Sequence, residues 1–178
     1  MGAAKILLRY MKGTQGERMT YTAKCKPEGI KLTVSAMVDT DWAGCIRIRK
    51  STNGGALMLG GHCIKSWPTT QSVIALSSGE AEFYGVVKGA PVLLGLISLA
   101  ADLGITLKGR VHTDSPAARG ICNRRGLGKT RHIHTQYLWV QERLQAKDFQ
   151  LFKVPGKENP GDLMTKHLDA PTIAMWRS

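Results

Sequence analysis

What most narrows the fold is a change of period at residue 77. Upstream, Leu32, Val34, Ala36 and Val38 occupy alternate positions of the segment 30–39, the pattern of a strand with one buried face. Downstream, residues 77–103 are rich in Ala and Leu and read as helix. Pro91 interrupts that stretch. It lacks a backbone donor and crowds the preceding turn, so a kink or break is expected there, with Pro91 opening a second helix.

The other segments fit around this division. Residues 3–12, AAKILLRYMK, read as a short amphipathic helix closed by Gly13. Residues 19–24 are strand-like, with a turn at Pro27-Glu28-Gly29, and residues 54–67 read as a hairpin around Gly60-Gly61. After the helical stretch come a strand at 109–114, a short helix at 115–122, a helix at 131–146, a strand at 149–154 and a last helix at 160–167 that Pro160 starts. A strand-rich first half followed by alternating helices and strands is an α/β arrangement.

At 178 residues with 43% hydrophobic content, the chain suits one folded domain with a substantial core. Lys and Arg number 25 against 13 Asp and Glu, a formal charge of +12, so a polyanion such as nucleic acid is the natural partner; a basic but unspecialised surface is the alternative. No uninterrupted apolar run approaches the ~20 residues a membrane span needs, and no membrane partner is expected. Cys25, Cys45, Cys63 and Cys122 lack the close spacing of zinc sites and read as free thiols of an intracellular, cytoplasmic protein.

The scarcity of acids makes it tractable to ask which ones gather. Glu80 and Glu82 are two apart on a helix, so their side chains point roughly 200° apart and cannot serve one site. Ser77 precedes Glu80 by three residues, the capping-box distance, which makes Glu80 a cap and leaves Glu82 for chemistry. Asp39 ends a strand, whereas Asp41 lies in a turn-like stretch; spacing alone leaves the choice between them open. Asp114 ends another strand, and taken alone its plain reading is a helix N-cap. Asp162 sits in a first helical turn, where the dipole favours an acid with or without a metal.

Taken in order, VDTDWAG, KSTNGG, SWPTTQSVIALSSGEAEFYG, HTDSPAA, KTRHI and VPGKENPGDLMTKHL resemble the ribonuclease H domain of copia-type retrotransposon polyproteins along nearly the whole chain. The resemblance implies a ribonuclease H-like fold, with a mixed five-stranded sheet of three antiparallel and two parallel strands and helices on both faces. It implies catalytic, metal-binding roles for Asp39, Glu82, Asp114 and Asp162, and two Mg2+ ions, with Mn2+ as a substitute. Two such ions about 4 Å apart activate a water and steady the departing oxygen, so that the RNA strand of an RNA–DNA hybrid is cut to 5′-phosphate and 3′-hydroxyl ends during reverse transcription. An upstream reverse transcriptase domain is the implied neighbour, with a virus-like particle as the implied setting: residues 1–16 resemble its connection, 17–170 the nuclease domain and 171–178 a tail. Integrase or transposase cores share the chemistry with three acids, and Asp162 in GDLMTK separates the readings. A decayed copy that only binds nucleic acid is the third possibility.

No acid lies between Asp114 and Glu142, while Arg119, Arg124, Arg125, Lys129 and Arg131 accumulate there; this is the expected hybrid-binding surface, against a solvated face. Ser78 and Ser115, beside the acids, are assigned to contacts with 2′-hydroxyls. His132 and His134 stand too far from any cysteine for a zinc site. Some cellular ribonucleases H carry a histidine before the last aspartate; VPGKENPGD has Lys157 and none. Trp42 and Trp67 both read as core aromatics.

Overall fold

The computed structural model describes residues 2–18, 20–21 and 32–176. Five strands form one mixed sheet in the order β3-β2-β1-β4-β5. The strands are β1 (Leu32–Asp41), β2 (Thr52–Leu59), β3 (His62–Thr70), β4 (Leu107–Thr113) and β5 (Gln150–Lys153). β1 runs antiparallel to β2 and β2 to β3, whereas β1 to β4 and β4 to β5 are parallel, so the expected three-plus-two sheet is present. The β2–β3 hairpin turns at Gly60 and Gly61, both at positive φ, as a two-residue primed turn requires. Of the strand expected at 19–24, Thr20 and Tyr21 alone are described, neither in a strand, and the turn at 27–29 lies outside the described residues.

Helical segments sit unequally on the two faces of the sheet. α2 (Ser78–Asp102) packs on β1, β2 and β4, and α3 (Pro116–Asn123) and α4 (Trp139–Gln145) stack beside it. Val34, Ala36 and Val38 of β1 are fully buried with Phe83, Val86, Ala90 and Leu93 of α2. The helix can approach this closely because Gly85 and Gly89 meet the strand: a Cβ on either would lie 2.6 Å from Thr40 Oγ1 or Val38 Cγ1 respectively. On the opposite face a 3-10 turn, Pro160–Met164, contacts β1, β2 and β3.

Four expectations need correction. α2 continues through Pro91 and no second helix begins there; Pro91 is exposed while Gly89, Ala90 and Leu93 are buried, so packing holds the helix across the missing hydrogen bond. The helix expected over 131–146 is a 3-10 turn, Thr135–Tyr137, followed by α4, because His132 and Ile133 are held to other elements. The final 160–167 segment is the 3-10 turn, followed by α5 (Ala170–Met175), which the sequence reading did not foresee. Trp67 is core, but Trp42 is 50% exposed, with its indole N–H donating to the Ala75 carbonyl.

α1 (Gly2–Gly13) leaves Ile6, Leu7, Leu8, Tyr10 and Met11 exposed. α2 is long and apolar enough to cross a bilayer by length and composition alone, and its sheet-facing side is buried. Cys45, Cys63 and Cys122 are free thiols.

Candidate metal centre

The parallel pairing of β1 and β4 brings two strand ends side by side. β1 carries Asp39 near its end, and Asp114 directly follows β4. Glu82 enters from the start of α2, where its carboxylate accepts a hydrogen bond from the Thr40 backbone N–H. Asp39, Glu82 and Asp114 thereby place carboxylate oxygens within 4.8 Å of one another. Asp41 is not part of this group although β1 extends to include it, whereas Asp39 belongs to it and is 1% exposed. Asp114 is free of the capping role as well, because Ser115 is the N-cap of α3 and accepts from the Ala118 N–H at 3.2 Å.

Bringing three carboxylates together without a cation is costly. Glu82 shows it: burial, then the charges of Asp39 and Asp114, push its pKa up to about 8 from 4.5. Its Oε2 is buried without a hydrogen-bond partner. An orphaned buried oxygen beside two further hard oxygen donors fits a divalent cation, which would remove the repulsion and satisfy the lone pairs.

Glu80, on the far side of the same helical turn, is the opposite case. Its N–H donates to Ser77 Oγ at 3.2 Å, and its carboxylate accepts from the Leu76 N–H at 3.0 Å and the Tyr84 hydroxyl at 2.9 Å. His132 Nε2 lies 2.7 Å from Oε2, the same oxygen that accepts from the Leu76 N–H. The capping assignment holds, with the back-bond reaching one residue beyond the cap. The histidine anchor is new, and it ties the basic loop to the start of α2.

Asp162 stands apart from the trio and adjoins Asp39 through a lysine. Lys166 Nζ is 2.8 Å from Asp162 Oδ1 and 3.3 Å from Asp39 Oδ1, and the Thr165 hydroxyl donates to Asp39 Oδ2. Burial raises the Asp162 pKa, the Lys166 hydrogen bond opposes that, and the Asp39 charge adds to the rise. For Lys166 burial pulls downward, but its bond to Asp162 and the two acidic charges outweigh it, so the pKa is raised. The whole turn is bolted down by buried Asn159, whose side-chain N–H donates to the Val38 carbonyl at 2.8 Å and whose oxygen accepts from the Gly161 N–H at 3.0 Å. Gly54 and Gly161 permit the contact: a Cβ at Gly54 would lie 2.7 Å from the Gly161 carbonyl, and one at Gly161 3.0 Å from the Asp39 nitrogen. Asn159, Thr165 and Lys166 were not singled out from sequence; the signal available was their place in one block, ENPGDLMTK, around Asp162.

The residues expected to meet nucleic acid separate into two kinds. Arg125, Lys129 and Arg131 are exposed, as is Ser78 in the first turn of α2. Arg124 is partly buried and donates to Thr130 Oγ1, shaping the loop, and Arg119 has a buried Nε without a partner. Ser115 uses its oxygen as a cap acceptor and keeps its hydrogen to donate. Lys157 lies exposed in the turn Gly156–Glu158.

No protein-family profile matches the chain. It is 30% identical over 166 residues, 92% of its length, to the retrovirus-related Pol polyprotein from transposon TNT 1-94 of Nicotiana tabacum. It is also 30% identical over 169 residues to the Pol polyprotein from transposon RE2 of Arabidopsis thaliana. Among solved structures it superposes on LC11-RNase H1, isolated from compost, with a TM-score of 0.50 and 12% identity over 75% of this chain and 91% of that one. This chain is a relative of copia-type retrotransposon Pol polyproteins with the ribonuclease H fold. It spans 12% and 11% of the two Pol polyproteins, so it corresponds to one segment of proteins many times longer. In the ribonuclease H fold seen here, the acid trio lies where the parallel β1 and β4 end beside the start of α2.

Proposed function

We propose that this chain is a metal-dependent endonuclease that hydrolyses the RNA strand of RNA–DNA hybrids during reverse transcription of a retrotransposon. The observation that carries the reading is the convergence of Asp39, Glu82 and Asp114 within 4.8 Å, with an unpartnered buried oxygen on Glu82, in a ribonuclease H fold. Asp162 beside Asp39 supports this over a three-acid integrase-like core. Relatedness to Pol polyproteins supports an upstream reverse transcriptase as neighbour, with α1 as the end of the connection.

In this reading Asp39, Glu82 and Asp114 hold one divalent ion and Asp39 with Asp162 a second, Mg2+ in the cell and Mn2+ as substitute. Bound ions supply an activated water and neutralise the charge that develops on the phosphate. Arg125, Lys129 and Arg131 hold the hybrid backbone through charge, helped by Arg119 and Arg124, and the basic loop is held at its base by the His132–Glu80 contact. Ser78 and Ser115 face the strand whose 2′-hydroxyls mark it as RNA.

The test is cleavage of an end-labelled hybrid in Mg2+, beside duplex DNA and duplex RNA. Hybrid RNA should shorten, leaving 5′-phosphate and 3′-hydroxyl ends, the duplexes should persist, and Asp39→Asn should be inert. A folded wild type that leaves the hybrid whole would refute the proposal.

A further inference from the structure

The two sides of Asp39 are unequally furnished. Toward Glu82 and Asp114 the acids face one another, with Glu82 Oε2 lacking any partner. Toward Asp162 the space between the carboxylates is filled: Lys166 Nζ contacts Asp162 at 2.8 Å and Asp39 at 3.3 Å, and the Thr165 hydroxyl takes the other Asp39 oxygen. An ammonium between two carboxylates occupies the place a second cation would take, by the same Coulombic logic.

We propose that Lys166 is a resident counter-cation that makes the centre load in sequence, the first divalent ion onto Asp39, Glu82 and Asp114, the second onto Asp39 and Asp162 only as Lys166 swings out. The inference rests on the reading of the acids as a metal centre. The backbone that carries Lys166 is fixed, through its N–H to the Asp162 carbonyl at 2.9 Å and through buried Asn159 on β1, whereas the side chain is 45% exposed with a flexible stem leading to solvent. A tethered ammonium competes at high effective concentration, so the second ion binds with an apparent affinity lowered by the fraction of molecules in which Lys166 is out. Phosphate oxygens of a bound strand add donors for the ion and repel nothing on the lysine, which can then pair with the strand.

The experiment titrates Mn2+ into the whole chain by calorimetry and follows acylation of Lys166 by mass spectrometry at each ratio. The wild type should bind one ion and then another at least tenfold more weakly, with Lys166 acylation rising only as the second enters. Lys166→Met should tighten the second ion tenfold or more, and Lys166→Arg should keep it weak; thermal melting verifies that each variant is folded. A second ion no tighter in Lys166→Met, or Lys166 reactivity unchanged at saturating Mn2+, overturns the proposal. Hybrid cleavage is scored separately. Sequential loading without cleavage would leave the role of Lys166 standing and remove the activity, whereas cleavage with two ions of equal affinity would remove the lysine's role alone. No ion bound by any form would remove both.

Discussion

Two glutamates that flank Ala81, Glu80 and Glu82, face opposite sides of the first turns of α2 and meet opposite conditions. Glu80 is 2% exposed yet fully engaged, by the Leu76 amide, the Tyr84 hydroxyl and His132. Glu82 accepts from one amide and leaves its other oxygen bare beside two more acids. A satisfied buried carboxylate holds a fold together, whereas an unsatisfied one among like charges destabilises the metal-free protein and awaits a cation. The difference in partners, rather than burial or residue type, separates the structural acid from the proposed metal ligand.

That comparison can be broken in several ways. The largest effect expected is on cleavage: if Glu82 holds an ion as proposed, Glu82→Gln should lower hybrid hydrolysis by about a thousandfold with its fold intact, since several kcal/mol of transition-state stabilisation would pass through that ion. Glu80→Gln should stay within about tenfold of wild type, and the two profiles are read on one gel-based rate assay. Next, Glu80→Ala should lower the unfolding free energy by about 3 kcal/mol in urea, because it strands an amide, a hydroxyl and an imidazole at once.

The pH dependence of the metal-free fold should distinguish the pair further. Glu82 has a pKa of about 8 when folded and 4.5 as its ordinary value, so between these the folded state holds the proton more tightly. Raising the pH through that window should therefore lower stability, by under ~1.4 kcal/mol per pH unit, and the loss should vanish in Glu82→Gln. Denaturant midpoints of both proteins at several pH values, without metal, measure it. The smallest effect belongs to the basic loop: Lys129→Ala should reduce the slope of log affinity against log salt by about one, with little change in cleavage at saturating hybrid.

Much of this was legible in the chain because it is local. The alternation through Leu32 and Val38, the Gly60-Gly61 turn and the Ser77-to-Glu80 distance each report on a few neighbouring residues, and β1, the hairpin and the split between Glu80 and Glu82 follow. What sequence left open depends on contacts between distant segments. Asn159 reaches β1 across 121 positions, and His132 reaches Glu80 across 52. Neither has a periodic signature. Pro91 departs from expectation for a related reason: local chemistry favours a break, but packing of its flanks against the sheet outweighs one lost hydrogen bond. That Asp39 and not Asp41 lies close to Glu82 and Asp114 is likewise a matter of distant segments meeting.

The most direct test of the central claim, that the cluster around the unpartnered Glu82 oxygen rather than the satisfied Glu80 forms the metal centre, is calorimetric titration of Mn2+ into wild type, Glu80→Gln and Glu82→Gln at pH 8. The first ion should bind wild type and Glu80→Gln alike and Glu82→Gln at least a hundredfold more weakly, about 2.7 kcal/mol. A Glu82→Gln protein that binds the first ion as tightly as wild type would contradict the account.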